Sequence, residues 1–133
     1  MHITGLYAAL CTLLIVVLGV LVTLRRRDAR VTLGDGGDAV LLRRVRAHGN
    51  AVETVPLALI LLLALELDQT QPSVLHVFGI VLVVARLLHG IGVLHHVGRG
   101  PGFGRGVGMS LTWLLLLVMA GLLLWRFALR AMA

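Results

Sequence analysis

Residues 43–56, with the sequence RRVRAHGNAVETVP, carry three arginines, a histidine, an asparagine and a glutamate directly into a long apolar run. An ionisable group near the centre of a bilayer costs at least about 2.5 kcal/mol, so a lipid-facing segment would exclude such residues. If the stretch is helical, five residues at spacings of three and four share one face: Arg43, Arg46, Asn50, Glu53 and Leu57. The pattern predicts that this face meets a protein partner, a water-filled cavity or a polar ligand.

The composition of the chain indicates a membrane protein. Of its 133 residues, 59% are hydrophobic and only 14% are charged, which is too apolar for a soluble domain of this length. The net charge is +6, and the basic residues are twelve arginines with no lysine. These arginines lie beside apolar runs, where membrane topology and lipid headgroups account for them better than nucleic acid does. We therefore expect membrane lipids, and no nucleic acid, as partners.

Four apolar runs are long enough to cross a bilayer, since a membrane-spanning helix needs about 20 residues. The runs cover residues 3–24, 50–67, 74–97 and 107–127. We predict a single all-α domain over residues 1–133, built as a bundle of four transmembrane helices. Pro56 lies early in the second run and predicts a kink or a helix restart there.

The distribution of arginines predicts how the helices are oriented. The first loop and its flanks carry seven arginines, and the third loop carries Arg99 and Arg105, whereas the second loop carries none. Because cytoplasmic loops are enriched in arginine, loops one and three are expected in the cytoplasm and both termini outside.

Two polar residues lie deep within the third run. Arg86 and His89 are three residues apart, so they are neighbours on one helical face. Arg86 needs a counter-charge, and Glu53 is the obvious candidate because Glu66 and Asp68 lie at the outer end of their run. We therefore expect an Arg86–Glu53 ion pair between helices. The residues themselves leave open whether the polar stripe binds a ligand or only fixes helix register.

No metal site is predicted from the histidines. His95 and His96 are adjacent and would point about 100° apart on a helix, and no cysteine or aspartate stands at ligand spacing. The glycine-rich residues 98–106 lack the lysine and hydroxyl residue of a phosphate loop. Arg105, at the head of the fourth run, is still placed to contact an anion.

The pattern R-x-x-R-A-H-x-N-x-x-E-x-x-P over residues 43–56 resembles the signature of the MAPEG superfamily, the membrane-associated proteins in eicosanoid and glutathione metabolism. Residues 86–89 are a secondary match, and the chain is most similar to the compact bacterial branch of that family. The resemblance implies a homotrimer of four-helix subunits in the bacterial inner membrane. It also implies glutathione bound between adjacent subunits at the cytoplasmic side, with no metal.

The resemblance also implies roles for individual residues. Five of them match family positions that bind glutathione or shape its site: Arg46, Asn50, Glu53, Arg86 and His89. Arg105 matches the arginine that holds the thiolate, and Arg99 competes for that role. The chemistry is reasonable because a nearby guanidinium favours the thiolate nucleophile, and because the two carboxylates of glutathione suit arginine.

Two positions depart from the family pattern. Leu42 stands where many members carry a glutamate, and Val93 stands where eicosanoid-acting members carry a tyrosine, so prostaglandin or leukotriene synthesis is not implied. The leading hypothesis is a transferase that adds glutathione to lipophilic electrophiles, or reduces peroxides, arriving from the bilayer. The alternative is a non-catalytic scaffold or small-molecule binding protein with the same fold. A small multidrug-type transporter subunit is disfavoured by the arginine-rich entrance to the second helix.

Overall fold

The computed structural model describes residues 2–95 and 102–132, which form four α-helices and no strand. The helices are α1 (Ile3–Ala29), α2 (Ala39–Leu67), α3 (Pro72–His95) and α4 (Phe103–Met132). All four are long and apolar enough to cross a membrane. The predicted all-α class with four candidate transmembrane helices is therefore confirmed, while the homotrimer remains a prediction.

The helices extend beyond the predicted apolar runs at their polar ends. The helix α1 continues through three arginines to Ala29, and α2 begins at Ala39, so residues 43–56 are entirely helical. Hydropathy marks where a segment becomes charged, but arginine is a good helix former and the backbone hydrogen bonds continue through it. Residues 96 and 97 of the predicted third run lie outside the described residues.

Of the kink or helix restart expected at Pro56, the restart is wrong, because α2 is one helix across this residue, and the kink stays a prediction. The proline ring lies on the exposed side of α2, so it needs no room in the core. Membrane helices tolerate an internal proline where the surroundings satisfy the freed backbone group.

Asp38 joins the end of α1 to the start of α2. Its side chain accepts a hydrogen bond from the backbone N–H of Leu41 at 2.7 Å, which caps α2, and another from Arg25 Nη2 at 2.6 Å. The hydrogen bond from Arg25 holds the pKa of Asp38 below its ordinary value. Arg26 Nη1 donates to the carbonyl of Gly34 at 2.9 Å. The arginine-rich loop is thus fixed by its own side chains.

The helices α2 and α3 form the centre of the bundle. Each packs against the other and against both outer helices, whereas α1 and α4 do not contact each other in the described part of the chain. The core between them is apolar and includes Tyr7, Cys11, Val55, Leu62, Leu82 and Met119. Many large apolar side chains of α1 and α4 face outward instead, as expected for helices that contact lipid.

The beginning of α1 is capped by a carboxylate from another helix. The oxygens Oε1 and Oε2 of Glu66, near the end of α2, accept hydrogen bonds from the backbone N–H groups of Ile3 and Thr4 at 2.6 and 2.8 Å. These N–H groups have no partner within α1 itself, so Glu66 satisfies them and complements the positive end of the helix dipole.

A close approach of α3 and α4 depends on Gly108. A Cβ atom at this position would lie 2.5 Å from both the carbonyl oxygen of Ala85 and the backbone nitrogen of His89. Only glycine permits this distance, and small residues are the usual means by which membrane helices pack closely.

We predict that Gly108→Ala lowers the free energy of unfolding by about 1–3 kcal/mol, because the new methyl group forces α3 and α4 apart. Gly121→Ala in the same helix is the matched control, since its Cβ would have no neighbour within 4 Å. Denaturation of the purified protein in mixed detergent micelles measures both. A loss in Gly121→Ala as large as in Gly108→Ala would contradict the packing argument.

Candidate functional site

Arg86 is the largest fully buried side chain in the described structure, with 2% of its surface exposed. Its Nη1 donates to Asn50 Oδ1 and to Thr54 Oγ1, each at 2.8 Å, and its Nη2 lies 3.4 Å from the carbonyl oxygen of Gly108. A buried guanidinium is tolerated only when acceptors surround it. Arg86 on α3 therefore ties together α2 and α4, and we call these four residues the Arg86 network.

Two hydroxyl groups orient the acceptors of the Arg86 network. The Thr54 hydroxyl donates to the carbonyl of Asn50 at 2.7 Å while accepting from Arg86. The Thr112 hydroxyl donates to the carbonyl of Gly108 at 2.8 Å, and Thr112 is fully buried. The hydrogen bonds of Arg86 are thus directed by neighbours on both adjoining helices. The Nε atom of Arg86 is buried and has no partner among the described residues.

The expected Arg86–Glu53 ion pair is absent among the described residues. Glu53 is exposed, and the acceptors within hydrogen-bond distance of Arg86 are an amide, a hydroxyl and a carbonyl. The prediction was wrong because it required a formal negative charge near the arginine. Neutral oxygens, held in place by the surrounding helices, accept hydrogen bonds from the two terminal nitrogens of the guanidinium instead.

His89 lies one turn after Arg86 on α3, as its spacing predicted, and only 4% of it is exposed. Its backbone packs against Gly108 of α4. Asn50, Arg86 and His89 are thus brought together inside the subunit, where α2, α3 and α4 meet.

Arg46 and Glu53 lie on the opposite, outward side of α2. Both are exposed, and they continue into a row with Leu57 and Ile60, of which more than half the surface is exposed. Together with half-buried Asn50 at its edge, this row defines the α2 outer face: Arg46, Asn50, Glu53, Leu57 and Ile60. The one predicted stripe therefore divides into an inward part, which binds Arg86, and an outward part, which is exposed on the surface of the bundle.

Arg105 lies in the first turn of α4 and is exposed. Its backbone packs against Gly92 near the end of α3, where a Cβ atom would collide with the Arg105 nitrogen. This contact fixes the start of α4 relative to α3. Arg99 and His96, which the sequence also singled out, lie outside the described residues.

Sequence reasoning missed Thr54 and Gly108 as members of the Arg86 network. Thr54 follows Asn50 by four residues on the same face of α2, so the helical spacing alone made it a candidate acceptor. Gly108 contributes a backbone carbonyl, which leaves no chemical signal in the sequence.

The exposed donors of this region suit an anionic ligand. Arg46 and Arg105 have guanidinium groups that form strong hydrogen bonds to carboxylates or to a thiolate. Arg43, which begins the sequence motif, is half-buried, and its Nε atom has no hydrogen-bond partner among the described residues. No group of three or more potential metal ligands occurs among residues 2–95 and 102–132.

We predict that Thr54→Val lowers the free energy of unfolding by about 1.5–3 kcal/mol, because it removes an acceptor from a buried charged donor. Thr23→Val is the matched control: Thr23 makes a similar bond to the carbonyl four residues earlier, at 3.1 Å, but is exposed and contacts no arginine in the described structure. Denaturation in mixed micelles compares the two, and equal losses would show that Thr54 does not support Arg86.

Most of the chain matches a known protein family. The model of the MAPEG family matches residues 4–125. The inner membrane protein YecN of Escherichia coli strain K12 is 40% identical over 123 residues, which is 92% of this chain and 91% of YecN. YecN of Escherichia coli O6:H1 matches to the same extent. No solved structure matches the chain significantly. The extent of these matches shows that the chain belongs to the MAPEG family.

Proposed function

We propose that this protein is a glutathione-dependent transferase-like protein of the inner membrane that assembles as a homotrimer and binds glutathione between its subunits. Its substrates would be lipophilic electrophiles or peroxides that arrive from the bilayer. The proposal rests on one observation above all others, the exposed charges of the α2 outer face.

Glu53 is the middle residue of the 29-residue helix α2, and it is exposed in the single subunit. Arg46 is exposed on the same face, two turns earlier. Glu53 lies inside the predicted apolar run 50–67, whereas Arg46 precedes it. If lipid covered this face, the carboxylate of Glu53 would lose its contact with water at a cost in free energy, because hydrocarbon solvates an ionised side chain poorly. A second copy of the chain, with a polar ligand between the copies, provides the surroundings that these charges require.

The spacing along the α2 outer face also favours association between copies. Its residues recur at alternating intervals of four and three, which is the repeat of helices that wind around one another in a coiled coil. The face begins with polar side chains and ends with Leu57 and Ile60. The apolar end would pack between copies, while the polar end would leave room for a ligand.

The ligand chemistry follows from the arginines. Glutathione carries two carboxylates, which Arg46 and the neighbouring arginines of α2 would bind, and a thiol, which Arg105 would hold as the thiolate. Asn50 would contribute its free amide group at the edge of the same face. Arg86 and His89, both buried within the subunit, would position Asn50 and the start of α4.

The membrane assignment is supported by the relatives, which are named as inner membrane proteins. We propose the same membrane here, with the arginine-rich loop between α1 and α2 on the cytoplasmic side, as the positive-inside rule predicts. Glutathione would then enter from the cytoplasm.

Val93 supports one alternative, a protein that binds glutathione without catalysis. It is almost fully buried beside Leu18 and Ala47, so no hydroxyl group is available at this position of α3. If the remaining arginines do not ionise the thiol, the same fold would act as a binding scaffold. Ultraviolet absorbance of bound glutathione distinguishes the two, because only the thiolate absorbs strongly.

We predict that Arg46→Ala weakens glutathione binding at least about tenfold, as expected for the loss of a charge-assisted hydrogen bond. Equilibrium titration of the detergent-purified protein measures this. Arg27→Ala is the matched control. Arg27 is an exposed arginine in the last turn of α1, and its substitution removes the same charge. Unchanged affinity in Arg46→Ala, or the same loss in Arg27→Ala, would contradict the proposed site.

We predict that Arg105→Ala reduces the thiolate absorbance of bound glutathione and lowers turnover, while binding is affected less than in Arg46→Ala. Arg27→Ala again serves as the control. Undiminished thiolate absorbance in Arg105→Ala would remove this arginine from the chemistry. Bound glutathione without thiolate absorbance in the unaltered protein would favour the scaffold alternative.

A further inference from the structure

A second cluster of charged residues lies at the end of the bundle that carries the turn between α2 and α3. Arg126 Nη1 donates to Asp68 Oδ2 at 2.9 Å, to Thr70 Oγ1 at 2.7 Å and to the Asp68 carbonyl at 3.3 Å. Arg130 Nη1 donates to Asp68 Oδ1 at 2.5 Å. The last turns of α4 are thus fastened to the turn that follows α2.

This cluster has an excess of positive charge. It contains two guanidinium groups and one carboxylate, and the hydrogen bond from Arg126 holds the pKa of Asp68 below its ordinary value. Other titratable residues near this end are Glu66, which caps α1, His2 beside it, and His76, whose Nδ1 atom lies 2.9 Å from the Tyr7 hydroxyl. Within the described residues, both arginines use only Nη1, which leaves the Nε and Nη2 donors available to an anion.

Asp68, Arg126 and Arg130 line an open cavity of about 350 Å³. Its remaining walls are apolar and belong to α4: Leu123, Leu124 and Phe127. Leu124 is 70% exposed and Phe127 is 72% exposed, so the apolar wall continues onto the outer surface of the bundle. Polar and apolar walls meet at a helix end, at the depth where a transmembrane helix crosses from hydrocarbon to headgroups.

We propose that this cavity binds the headgroup of an anionic phospholipid. The free donors of Arg126 and Arg130 would bind the phosphodiester, because one guanidinium group can donate two parallel hydrogen bonds to two oxygens of the same phosphate. The acyl chains would lie along Leu124 and Phe127, outside the cavity. A soluble anion would leave these apolar side chains uncovered, which is why the cavity suits a lipid better than free phosphate.

A Phe127→Trp substitution in a Trp113→Phe, Trp125→Phe background provides the measurement, because Phe127 lines the cavity whereas Trp125 does not. The indole at position 127 is then the sole tryptophan side chain, and its fluorescence is quenched by lipids with brominated acyl chains. The protein is reconstituted into bilayers that contain either brominated phosphatidylglycerol or brominated phosphatidylcholine. The quenching at increasing mole fractions gives the relative affinity of the two lipids for the surface beside position 127.

The expected preference for phosphatidylglycerol is about fivefold, the factor associated with one arginine near an anionic lipid. Arg130→Gln should reduce the preference to nearly one, whereas Arg130→Lys, which keeps the charge, should retain most of it. Arg27→Gln, at the other end of the bundle, should leave it unchanged. The proposal is overturned if the starting protein shows no preference, if Arg130→Gln keeps it, or if Arg27→Gln loses it equally.

Discussion

A guanidinium buried among three membrane helices is the constraint on which the rest of this structure depends. Arg86 cannot be solvated by lipid, so α2 and α4 must supply its acceptors, which they do through Asn50, Thr54 and the carbonyl of Gly108. The carbonyl is within reach only because Gly108 lets α4 approach α3 closely. The close packing of α3 against α4 and the hydrogen bonds of Arg86 therefore depend on each other, so a substitution that disturbs one also disturbs the other.

The Arg86 network also determines which charged groups of the chain remain exposed. Because neutral oxygens accept hydrogen bonds from the terminal nitrogens of Arg86, the carboxylate of Glu53 makes no ion pair with this arginine and is exposed, like Arg46, on the α2 outer face. In a membrane, an exposed carboxylate within an apolar run requires a polar cover. The proposed trimer and the proposed ligand site between its subunits would together supply this polar cover. The described subunit would be only one part of the site.

Much of the fold follows from the sequence, because hydropathy and helical spacing act locally. Hydropathy predicted the four helices, and helical spacing predicted that Arg86 and His89 share a face. Neither signal predicts which residues of different helices contact each other. The Arg86–Glu53 pair was inferred from opposite charges, but an amide, a hydroxyl and a carbonyl are the observed partners. A backbone carbonyl has no residue type to search for, and only the closeness of α3 and α4 reveals it. The cavity beside Arg130 was likewise missed, because it forms only where α4 meets Asp68 at the end of α2, which is a tertiary contact.

Native mass spectrometry during a glutathione titration tests the central claim, that the α2 outer face forms a ligand site between copies, most directly. A single series of spectra records both the number of subunits and the number of bound ligands. We predict a complex of three subunits that carries glutathione, and no glutathione bound to a single subunit after it dissociates from the complex. Glutathione bound to isolated subunits, or a protein that remains monomeric at all concentrations, would contradict it.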